Sequence, residues 1–420
     1  MTIPSVRGMK DILPPDSATW AALESAFLAH AARYGFREIR TPVLERTELF
    51  ARAVGETTDI VEKEMYSFTD RSGENLTMRP EGTAPVVRAL LAHRAELGEW
   101  PVRLCYTGPM FRHERPQKGR LRQFHQLGAE LFGTDSPYED VEVLAFLSGF
   151  LEEAGLAELS LEINSLGDPA CRPRYLQELS AFLASRDERL CDDCRRRRVR
   201  NPLRVLDCKS DRCMEATADA PSILDSLCDA CRLHFESVEK TLGAIGIRFS
   251  RNPRMVRGLD YYRRTTFEFI IPGMGAQNTV AAGGRYDGLA EMVGGKESIP
   301  AIGFAVGVER LLMLTRAEEG ARAAAEVFLV TSNPRFLEEA FRWKMELIGR
   351  GVRVEMDYEG RSVKAQFRRA DRSGAKAVVV FGEVEDARGA VVFRDMAAGS
   401  QEEVSRDEAR SRLIRLTKED

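Results

Sequence analysis

The sequence predicts an α+β protein with one antiparallel or mixed β-sheet, a helical insertion and a separate C-terminal α/β domain. Three observations predict it. Strand-like runs flank a very polar loop between about residues 75 and 132, a Cys- and Arg-rich stretch interrupts the pattern at about residues 171–245, and strands alternate with helices after residue 326. The 420 residues are 44% hydrophobic, which allows more than one core. We therefore expect a first domain over residues 1–325 and a second over residues 326–420.

The N-terminal segment predicts a helix followed by a strand. Apolar residues recur at helical spacing from about Ser17 to Tyr34, and Gly35 ends the helix. From Phe36 to Leu44 apolar and polar residues alternate as in a half-buried strand, and Pro42 suggests an edge or a bulge. An ordinary helix and strand explain this pattern, and a dimer element is the alternative.

The remaining strands of the first domain are short apolar runs separated by turn residues. They are expected at residues 102–106, 126–132, 266–271, 279–282 and 301–306, with a helix at about residues 308–314. In the C-terminal domain, strands are expected at residues 327–331, 352–356 and 377–381, and helices at residues 335–348 and 361–372. Alternation of this kind predicts a small sheet with some parallel pairing.

Charge and cysteine usage limit the class of protein. The net charge is −4 with 30% charged residues, so any contact with RNA must come from local basic patches. No apolar run approaches the ~18 residues of a membrane span, and Met1 to Lys10 lacks the apolar stretch of a signal peptide. We therefore expect a cytosolic protein without a membrane partner. In that compartment the eight cysteines favour metal binding or plain thiols over disulfides.

The segment from Phe111 to Gln126 carries the clearest chemical signal: two strand-like ends are joined by a loop dense in cations. Guanidinium groups bind phosphate oxygens in a bidentate manner, so Arg112 and Arg120 suit a polyphosphate. Glu114 and Phe124 are available to bond and stack a nucleobase. A solvated charged hairpin is the alternative that composition alone favours.

This segment resembles motif 2 of the class II aminoacyl-tRNA synthetases, in the histidine-specific form. Residues 35–42 resemble motif 1, the dimer element, and residues 303–312 resemble motif 3. Arg257 to Tyr262 is similar to a signature of the histidyl enzymes, and residues 362–371 resemble a helix of their anticodon-binding domain. The resemblance implies a class II catalytic domain with an antiparallel sheet, an anticodon-binding domain and a homodimer.

The resemblance also implies a histidine pocket. Its residues would be Glu81, Thr83, Arg112, Gln126, Glu130, Arg257, Tyr261 and Tyr262. Glu81 and Thr83 would hold the amino group of histidine, and Glu130, with Tyr262 opposite, would bind the imidazole. Glu130 lies in an apolar strand, where a carboxylate needs a specific partner.

The implied reaction is attack of the histidine carboxylate on the α-phosphate of ATP, followed by transfer of the histidyl group to the 3′ end of tRNA(His). The nucleophile is already an anion, so catalysis must come from positioning and from cations. ATP would be bound by Arg112, Glu114, Arg120, Phe124 and Arg310. Arg112 and Arg257 are the candidate catalytic residues at the α-phosphate, and Arg120 and Arg310 would hold the β- and γ-phosphates with Mg²⁺.

Two basic patches are candidates for tRNA contact. One comprises Arg361, Lys364 and Arg368 on one stripe of the C-terminal helix. The other is a run of arginines from residue 195 to residue 204, which could lie along the acceptor stem. Gln117 and Lys118 in the polar loop are further candidates. Charged stripes are often only solvated faces, and the resemblance favours RNA contact here.

The insertion contains the pairs Cys191-x-x-Cys194 and Cys228-x-x-Cys231, a spacing compatible with one tetrahedral zinc site. Cys208 and Cys213 lie between the pairs and complicate the choice of ligands, so structural zinc and free thiols both stay open. His113, His125 and His234 are interpreted as structural or RNA-facing rather than catalytic.

Two other functions compete with the enzyme. A non-catalytic, histidine-sensing regulatory subunit of ATP phosphoribosyltransferase would share the fold, but such proteins lose the motif arginines and the C-terminal domain. A generic nucleotide-binding enzyme is disfavoured because the glycines around residues 273–284 do not form a strand–GxGxxG–helix unit.

Overall fold

The computed structural model describes residues 3–55, 58–117, 119–156, 158–271, 279–315 and 326–415; Lys118 of the sequence prediction lies outside these ranges. The chain forms two compact units, Met1–Ile12 with Trp20–Ala317 and Leu13–Thr19 with Glu318–Asp420. The boundary expected between residues 325 and 326 stays a prediction. In the described ranges, no helix has both the length and the apolar character needed to cross a bilayer.

The strands are numbered in chain order. They are β1 (Arg37–Glu38), β2 (Leu44–Arg46), β3 (Tyr66–Thr69), β4 (Asn75–Met78), β5 (Val102–Phe111), β6 (Gln123–Phe132), β7 (Ser160–Ser165), β8 (Phe249–Arg251), β9 (Arg263–Ile270), β10 (Thr279–Arg285), β11 (Ala301–Gly307), β12 (Val327–Thr331), β13 (Val354–Met356), β14 (Ala377–Phe381), β15 (Ala390–Asp395) and β16 (Gln401–Ser405).

The helices are numbered in the same way. They are α1 (Asp16–Arg33), α2 (Thr47–Val54), α3 (Thr83–Ala92), α4 (Pro137–Glu153), α5 (Arg172–Ala184), α6 (Asp192–Arg200), α7 (Asp211–Ala216), α8 (Asp229–Ala244), α9 (Leu289–Met292), α10 (Val308–Leu314), α11 (Leu337–Gly349), α12 (Val363–Ser373), α13 (Glu383–Asp386) and α14 (Arg406–Arg415).

The first unit is built on an eight-stranded sheet with the order β1-β5-β6-β11-β10-β9-β7-β8. Its six central strands pair antiparallel, and only the two outer pairs, β1 with β5 and β7 with β8, are parallel. A separate three-stranded sheet has the order β2-β4-β3. The predicted α+β class is therefore confirmed for this unit.

Both faces of the large sheet are buried against helices. Successive side chains of a strand point to opposite faces, so neighbouring residues join different cores. On β5, Cys105 joins a core with α1, α4 and α8, whereas Leu104 and Tyr106 join a core with α2, α3 and the insertion. The first core is rich in aromatic rings, and the Phe146 ring lies 5.2 Å from that of Phe304 on β11. The second core covers the face that carries the polar cavities.

The strand expected over residues 36–44 is divided in the structure. Residues 37–38 form β1, whereas residues 44–46 form β2 of the small sheet. Ile39 still donates its backbone N–H to the Cys105 carbonyl, but Pro42 has no N–H with which to continue a ladder. Between the strands, the Thr41 carbonyl accepts from the Arg79 guanidinium instead.

The insertion consists of α5 to α8 with short 3₁₀ turns between them. Its arginine run makes ion pairs within the first unit: Arg197 and Arg204 both bond Asp59, at 2.9 and 3.2 Å, and Arg200 bonds Glu62 at 3.1 Å. These contacts hold the insertion on the segment around residues 58–64. All six arginines of the run expected along the acceptor stem have carboxylate partners, three of them within the insertion.

The second unit has a five-stranded sheet with the order β13-β12-β14-β15-β16. Strand β12 pairs in parallel with β13 and β14, and the remaining pairs are antiparallel. Helices α11 and α14 pack on one face around Trp343 and Leu413, and α12 packs on the other through Phe367 and Ala370. The expected alternation of strands and helices is confirmed, with boundaries shifted by two residues or fewer.

Candidate active site

Two cavities of the first unit share part of their walls. A small cavity of about 210 Å³ and a large cavity of about 330 Å³ are both lined by Arg112, Arg257 and Arg310. The small cavity is also lined by Glu81, Thr83, Gln126, Tyr261 and Tyr262, and the large one by Glu114, Arg120, Phe124, Glu268 and Glu309. A ligand that bridges the cavities would therefore pass between guanidinium groups.

The floor of the small cavity is the N-terminus of α3. The Glu81 carboxylate accepts the backbone N–H groups of Thr83 and Ala84 at 2.7 and 2.8 Å, which satisfies amides that lack a partner inside the helix. Burial raises the pKa of Glu81, while these amides act in the opposite direction. Glu81 is thus a buried acceptor that would gain most from a cationic partner.

Glu130 lies on β6 beneath this floor and is fully buried. It accepts hydrogen bonds from Thr83 Oγ1 at 2.7 Å, from the Tyr106 hydroxyl at 3.3 Å and from the Tyr286 hydroxyl at 2.5 Å. Burial raises its pKa to about 8, although the three hydroxyl donors oppose that rise. The residue contacts the cavity through Thr83, which belongs to both the wall and the network.

Glycines make room for this network. A Cβ atom on Gly303 would lie 1.7 Å from the Glu130 carboxylate. Cβ atoms on Gly82 and Gly128 would lie 2.2 and 2.3 Å from the Tyr106 ring. Since real Cβ contacts are never this short, these glycines are required by the side chains that they face.

Aromatic rings form one side of the small cavity. The Tyr261 ring lies 4.6 Å from that of Tyr262 and 5.7 Å from that of Tyr286. Burial raises the pKa of all three hydroxyl groups, so they stay protonated and act as donors. Arg172 of the insertion donates to the Tyr262 carbonyl at 3.0 Å and supports this segment from behind.

The two arginines expected at the reacting phosphate lie in the shared wall. Arg112 donates Nε to the Pro80 carbonyl at 2.9 Å and lies over the Phe124 ring at 5.2 Å. Arg257 pairs with Glu268, and its guanidinium lies 5.5 Å from the centre of the Tyr262 ring. Burial disfavours the charge on Arg257, but Glu268 raises its pKa overall, so the group stays a cation.

The large cavity has a cationic wall. Arg120 pairs with Glu114 at 3.1 Å, and Arg310 donates to the Thr279 carbonyl. Burial lowers the pKa of Arg310, and the nearby Arg120 lowers it further. Cations that repel one another in a confined space are stabilised by an anion, which makes this cavity suitable for phosphate groups.

The histidines have structural contacts. His125 lies 3.1 Å from Glu309, which also accepts the His125 backbone N–H. His234 lies 2.7 Å from the buried carboxylate of Asp140, which also pairs with the buried Arg285. His113 is exposed at the edge of the Tyr66 ring. That these three histidines are structural or RNA-facing rather than catalytic stays a prediction.

The structure brings together most of the side chains predicted for the histidine and ATP sites, with Glu130 one layer behind the wall. Sequence reasoning missed Tyr106 and Tyr286, which bind Glu130, and Glu268 and Thr279, which lie at the arginines. Thr279 Oγ1 donates to Glu268 at 2.9 Å, so these two form one unit with Arg257. The sequence feature that could have identified such residues is a polar side chain within an otherwise apolar, strand-like run.

In the second unit, the basic stripe of α12 borders a depression of about 450 Å³. It is lined by Glu359, Arg361, Ala365, Arg368, Arg369 and Arg372. Arg361, Lys364 and Arg368 are exposed. Arg361 pairs with the buried Asp357 at 2.8 Å, so it also stabilises the start of the helix. Gln117, in the first unit, is exposed in the loop between β5 and β6.

The four cysteines proposed for one zinc site do not come together. Cys191 and Cys194 cluster with Cys208 and Cys213, whereas Cys228 and Cys231 cluster with Asp168 and Cys171. The predicted grouping is therefore wrong. The cysteines between the two pairs in sequence fold back onto the first pair, whereas the second pair meets Asp168, before the insertion, and Cys171, at its start.

Known proteins resemble the chain over nearly its whole length. A family model described as histidyl-tRNA synthetase matches residues 8–311, and one described as anticodon binding domain matches residues 326–416. Curated proteins named histidine–tRNA ligase include one from Trichlorobacter lovleyi, 50% identical over 96% of both chains. Another, from Syntrophotalea carbinolica, is 49% identical over 100% of both.

A solved structure shows the same likeness. The crystal structure of the apo histidyl-tRNA synthetase of S. aureus matches with a TM-score of 0.83 and 35% identity, over 98% of this chain and 100% of that one. The family model covers more than half of the sequence, and the curated relatives extend through both units. The chain belongs to the histidyl-tRNA synthetase family.

Proposed function

We propose that the chain uses ATP to activate L-histidine and then transfers the histidyl group to tRNA(His), with residues 1–325 as the catalytic domain and residues 326–420 as the anticodon-binding domain. The observation that carries the proposal is the shared wall of the two cavities. Arg112 and Arg257 line both cavities, which is where a carboxylate from one and an α-phosphate from the other would meet.

The small cavity binds histidine in this proposal. The buried Glu81 carboxylate faces the ammonium group. The Thr83 oxygen accepts a hydrogen bond from the same group while its hydroxyl donates to Glu130. Gln126 Oε1 is a buried acceptor that has no hydrogen-bond partner in the described ranges, so a ligand donor would satisfy it. Tyr261 and Tyr262 enclose the imidazole.

Selection of the imidazole falls to Glu130 and Tyr262. Tyr262 is a protonated donor on the wall, because burial raises its pKa. Glu130 supplies the opposing acceptor and sets the direction of the hydroxyl groups around it. A site that pairs a donor with an acceptor in this way discriminates strongly against flat side chains that lack a ring N–H.

The large cavity binds ATP. Glu114 and Phe124 bond and stack the base, and Arg120 and Arg310 hold the β- and γ-phosphates. Mg²⁺, when bound, offsets charge on the leaving pyrophosphate. It usually keeps several waters and needs only one or two carboxylates besides substrate phosphates, which Glu309 on this wall would supply.

The first step joins a carboxylate oxygen of histidine to the α-phosphorus and breaks the bond to the β-phosphate oxygen, so that pyrophosphate leaves. Arg112 and Arg257 stabilise the charge that develops on the α-phosphate, and no protein base is needed. In the second step a terminal ribose hydroxyl of the tRNA attacks the adenylate carbonyl, and AMP leaves.

Activation should be specific for histidine. ATP–pyrophosphate exchange is expected to depend on added histidine and to stay at background with each of the other amino acids, because only histidine satisfies Glu130 and Tyr262 together. Exchange is followed with labelled pyrophosphate. Histidine binding without exchange would favour a histidine-sensing regulatory subunit of ATP phosphoribosyltransferase. Against that alternative, the anticodon-domain match and the motif arginines are both present.

Transfer should depend on the α12 stripe, and activation should not. The double variant Lys364→Ala/Arg368→Ala is expected to lower kcat/KM for tRNA in aminoacylation by roughly tenfold, because each lost phosphate contact weakens RNA binding. Histidine-dependent exchange should be unchanged. Arg388→Ala, an exposed cation paired with Glu403 outside the depression, is the matched control. Equal aminoacylation by both variants would contradict this use of the stripe.

We further propose that the chain acts as a homodimer. This rests on the resemblance of residues 35–42 to the dimer element of the class II enzymes.

The two cysteine clusters described above take no part in the reaction scheme, because none of their residues lines either cavity.

A further inference from the structure

A first cluster of four cysteines lies inside the insertion. The sulfur atoms of Cys191, Cys194, Cys208 and Cys213 all lie within 4.8 Å of one another, and Cys191 and Cys208 are 4.0 Å apart. A tetrahedral zinc ion with bonds of about 2.3 Å to sulfur places its ligands roughly 3.8 Å apart. The cluster therefore has the dimensions of a mononuclear tetrathiolate site.

A second cluster lies where the insertion joins the large sheet. One carboxylate oxygen of Asp168 and the sulfur atoms of Cys171, Cys228 and Cys231 also lie within 4.8 Å of one another. Asp168 Oδ1 is 3.5 Å from the sulfur of Cys171 and 3.9 Å from that of Cys228. Arg264 lies 3.8 Å from the same carboxylate and offsets the negative charge.

Both clusters are built on the same local structure. Cys191 and Cys228 are the N-cap residues of α6 and α8, and the second cysteine of each pair is the third residue of its helix. The backbone N–H of Cys191 also donates to the sulfur of Cys213 at 3.2 Å. Amides directed at sulfur and the positive end of a helix are both surroundings that suit a metal-bound thiolate.

Disulfides explain these clusters poorly. All eight cysteines are free, and a separation of 4.0 Å is about twice the S–S bond length. The second cluster has three sulfur atoms, so a disulfide would leave one thiol and the carboxylate without a role. Seven of the eight cysteines fall into the clusters, while Cys105 lies apart in β5.

Zinc is the metal that this chemistry favours. Four thiolates, or three thiolates and a carboxylate, in a closed tetrahedral arrangement suit Zn²⁺, which binds sulfur tightly and has no redox chemistry. An iron–sulfur cluster spreads its cysteines around several iron atoms, whereas here the ligand atoms of each cluster all lie within 4.8 Å of one another.

We propose that the chain binds two structural zinc ions, one at Cys191, Cys194, Cys208 and Cys213, and one at Asp168, Cys171, Cys228 and Cys231. The first ion ties α6 to α7 within the insertion. The second ties the starts of α5 and α8 to the end of β7. Because Arg172 follows Cys171 and donates to the Tyr262 carbonyl, the second ion also steadies the wall of the small cavity.

Elemental analysis of the full chain, expressed with zinc and purified under reducing conditions without chelators, tests the proposal. Two zinc ions per chain are expected. Cys208→Ser/Cys213→Ser and Cys228→Ser/Cys231→Ser should each retain one, and Cys105→Ala should retain two. The proposal would be overturned if the wild type contained no zinc, contained iron in its place, or contained a disulfide detected by mass spectrometry. If the wild type bound one zinc ion and only Cys208→Ser/Cys213→Ser lost it, the second site would be refuted.

Cobalt substitution keeps the test informative if a variant folds poorly. Wild-type protein reconstituted with Co²⁺ should show tetrahedral d–d bands and sulfur-to-metal charge transfer, weaker per ion in the variant that retains only the carboxylate-containing site. Octahedral spectra would overturn both sites. In exchange assays, KM for histidine should rise in the Cys228→Ser/Cys231→Ser variant and stay unchanged in the Cys208→Ser/Cys213→Ser variant. Equal KM values would contradict the inference that the second zinc ion steadies Tyr262 through Arg172.

Discussion

Replacing Arg257 by alanine is expected to slow histidine-dependent ATP–pyrophosphate exchange by roughly 10²–10³-fold or more while the fold stays intact. Arg257 lines both cavities, and its pairing with Glu268 holds the guanidinium at the point where negative charge develops. Alanine leaves the α-phosphate with Arg112 alone. Pre-steady-state adenylate formation and the circular dichroism spectrum together measure the effect.

Three variants separate the loss of the cation from the loss of an ion pair. Glu268→Gln keeps the cation and should reduce exchange far less than Arg257→Ala. The double variant Arg257→Ala/Glu268→Gln removes any unpaired carboxylate and should be as slow as the single alanine variant. Arg103→Ala breaks a comparable half-buried pair with Glu142 outside the cavities and should exchange normally. A normal rate in Arg257→Ala would refute its assigned role.

Much of the fold follows from local patterns. Each strand and helix expected from residue 327 to residue 381 is present, because apolar runs and amphipathic segments alternate there with clear turns. The strand expected at residues 36–44 is instead split between two sheets. Pro42 signalled an interruption, but the partner of each half depends on long-range pairing, which the local sequence does not contain.

The candidate site was predictable to the extent that its residues lie in contiguous motifs. Arg112, Arg120 and Phe124 share one hairpin, and Tyr261 follows Arg257 closely. By contrast, Tyr106 reaches the network because β5 pairs with β6 in a register that places Gly128 opposite it, and because Gly82, just before α3, also leaves room for its ring. Strand register and glycine clearance are three-dimensional properties that spacing does not reveal.

The cysteines show the same limit. Two Cys-x-x-Cys pairs are visible in the sequence, and one site formed from both pairs was the simplest prediction. Each pair is instead half of its own cluster, since the turns after α6 return Cys208 to the first pair and β7 delivers Asp168 to the second. Spacing identifies half-sites, and topology decides which halves meet.

Above about pH 8, where Glu130 is ionised, replacing it by glutamine is expected to lower kcat/KM for histidine in pyrophosphate exchange by roughly 10–10²-fold. The carboxylate accepts three hydroxyl groups, and an amide has only one accepting atom. At least one of the three hydroxyl groups must then lose its hydrogen bond to residue 130. This disturbs the orientation of the Thr83 hydroxyl, whose oxygen accepts from histidine. Glu139→Gln is the matched control, because Glu139 is also buried but lies outside both cavities. Equal kcat/KM values for the two variants would contradict the assignment.

The same substitution should change how stability depends on pH. Burial raises the pKa of Glu130 from 4.5 to about 8, so the folded chain keeps a proton that the unfolded chain loses. Between these values the folded state binds more protons, and stability therefore falls as pH rises. In urea titrations, Glu130→Gln should flatten the decline of the free energy of unfolding between about pH 5 and pH 8. Glu139→Gln should leave the part of the decline that comes from Glu130 unchanged.

Ionisation of Glu130 should also appear in the pH profile of histidine use. The hydroxyl of Tyr286 lowers the pKa of Glu130 by donating to its carboxylate, so Tyr286→Phe should raise that pKa further. If the ionised form accepts the substrate donor, kcat/KM for histidine climbs as Glu130 loses its proton, and the climb moves to higher pH in Tyr286→Phe. A kcat/KM that falls as pH rises would instead mean that Glu130 acts in its protonated form. A profile that stays in place in Tyr286→Phe would contradict a role for the charge of Glu130 in histidine use.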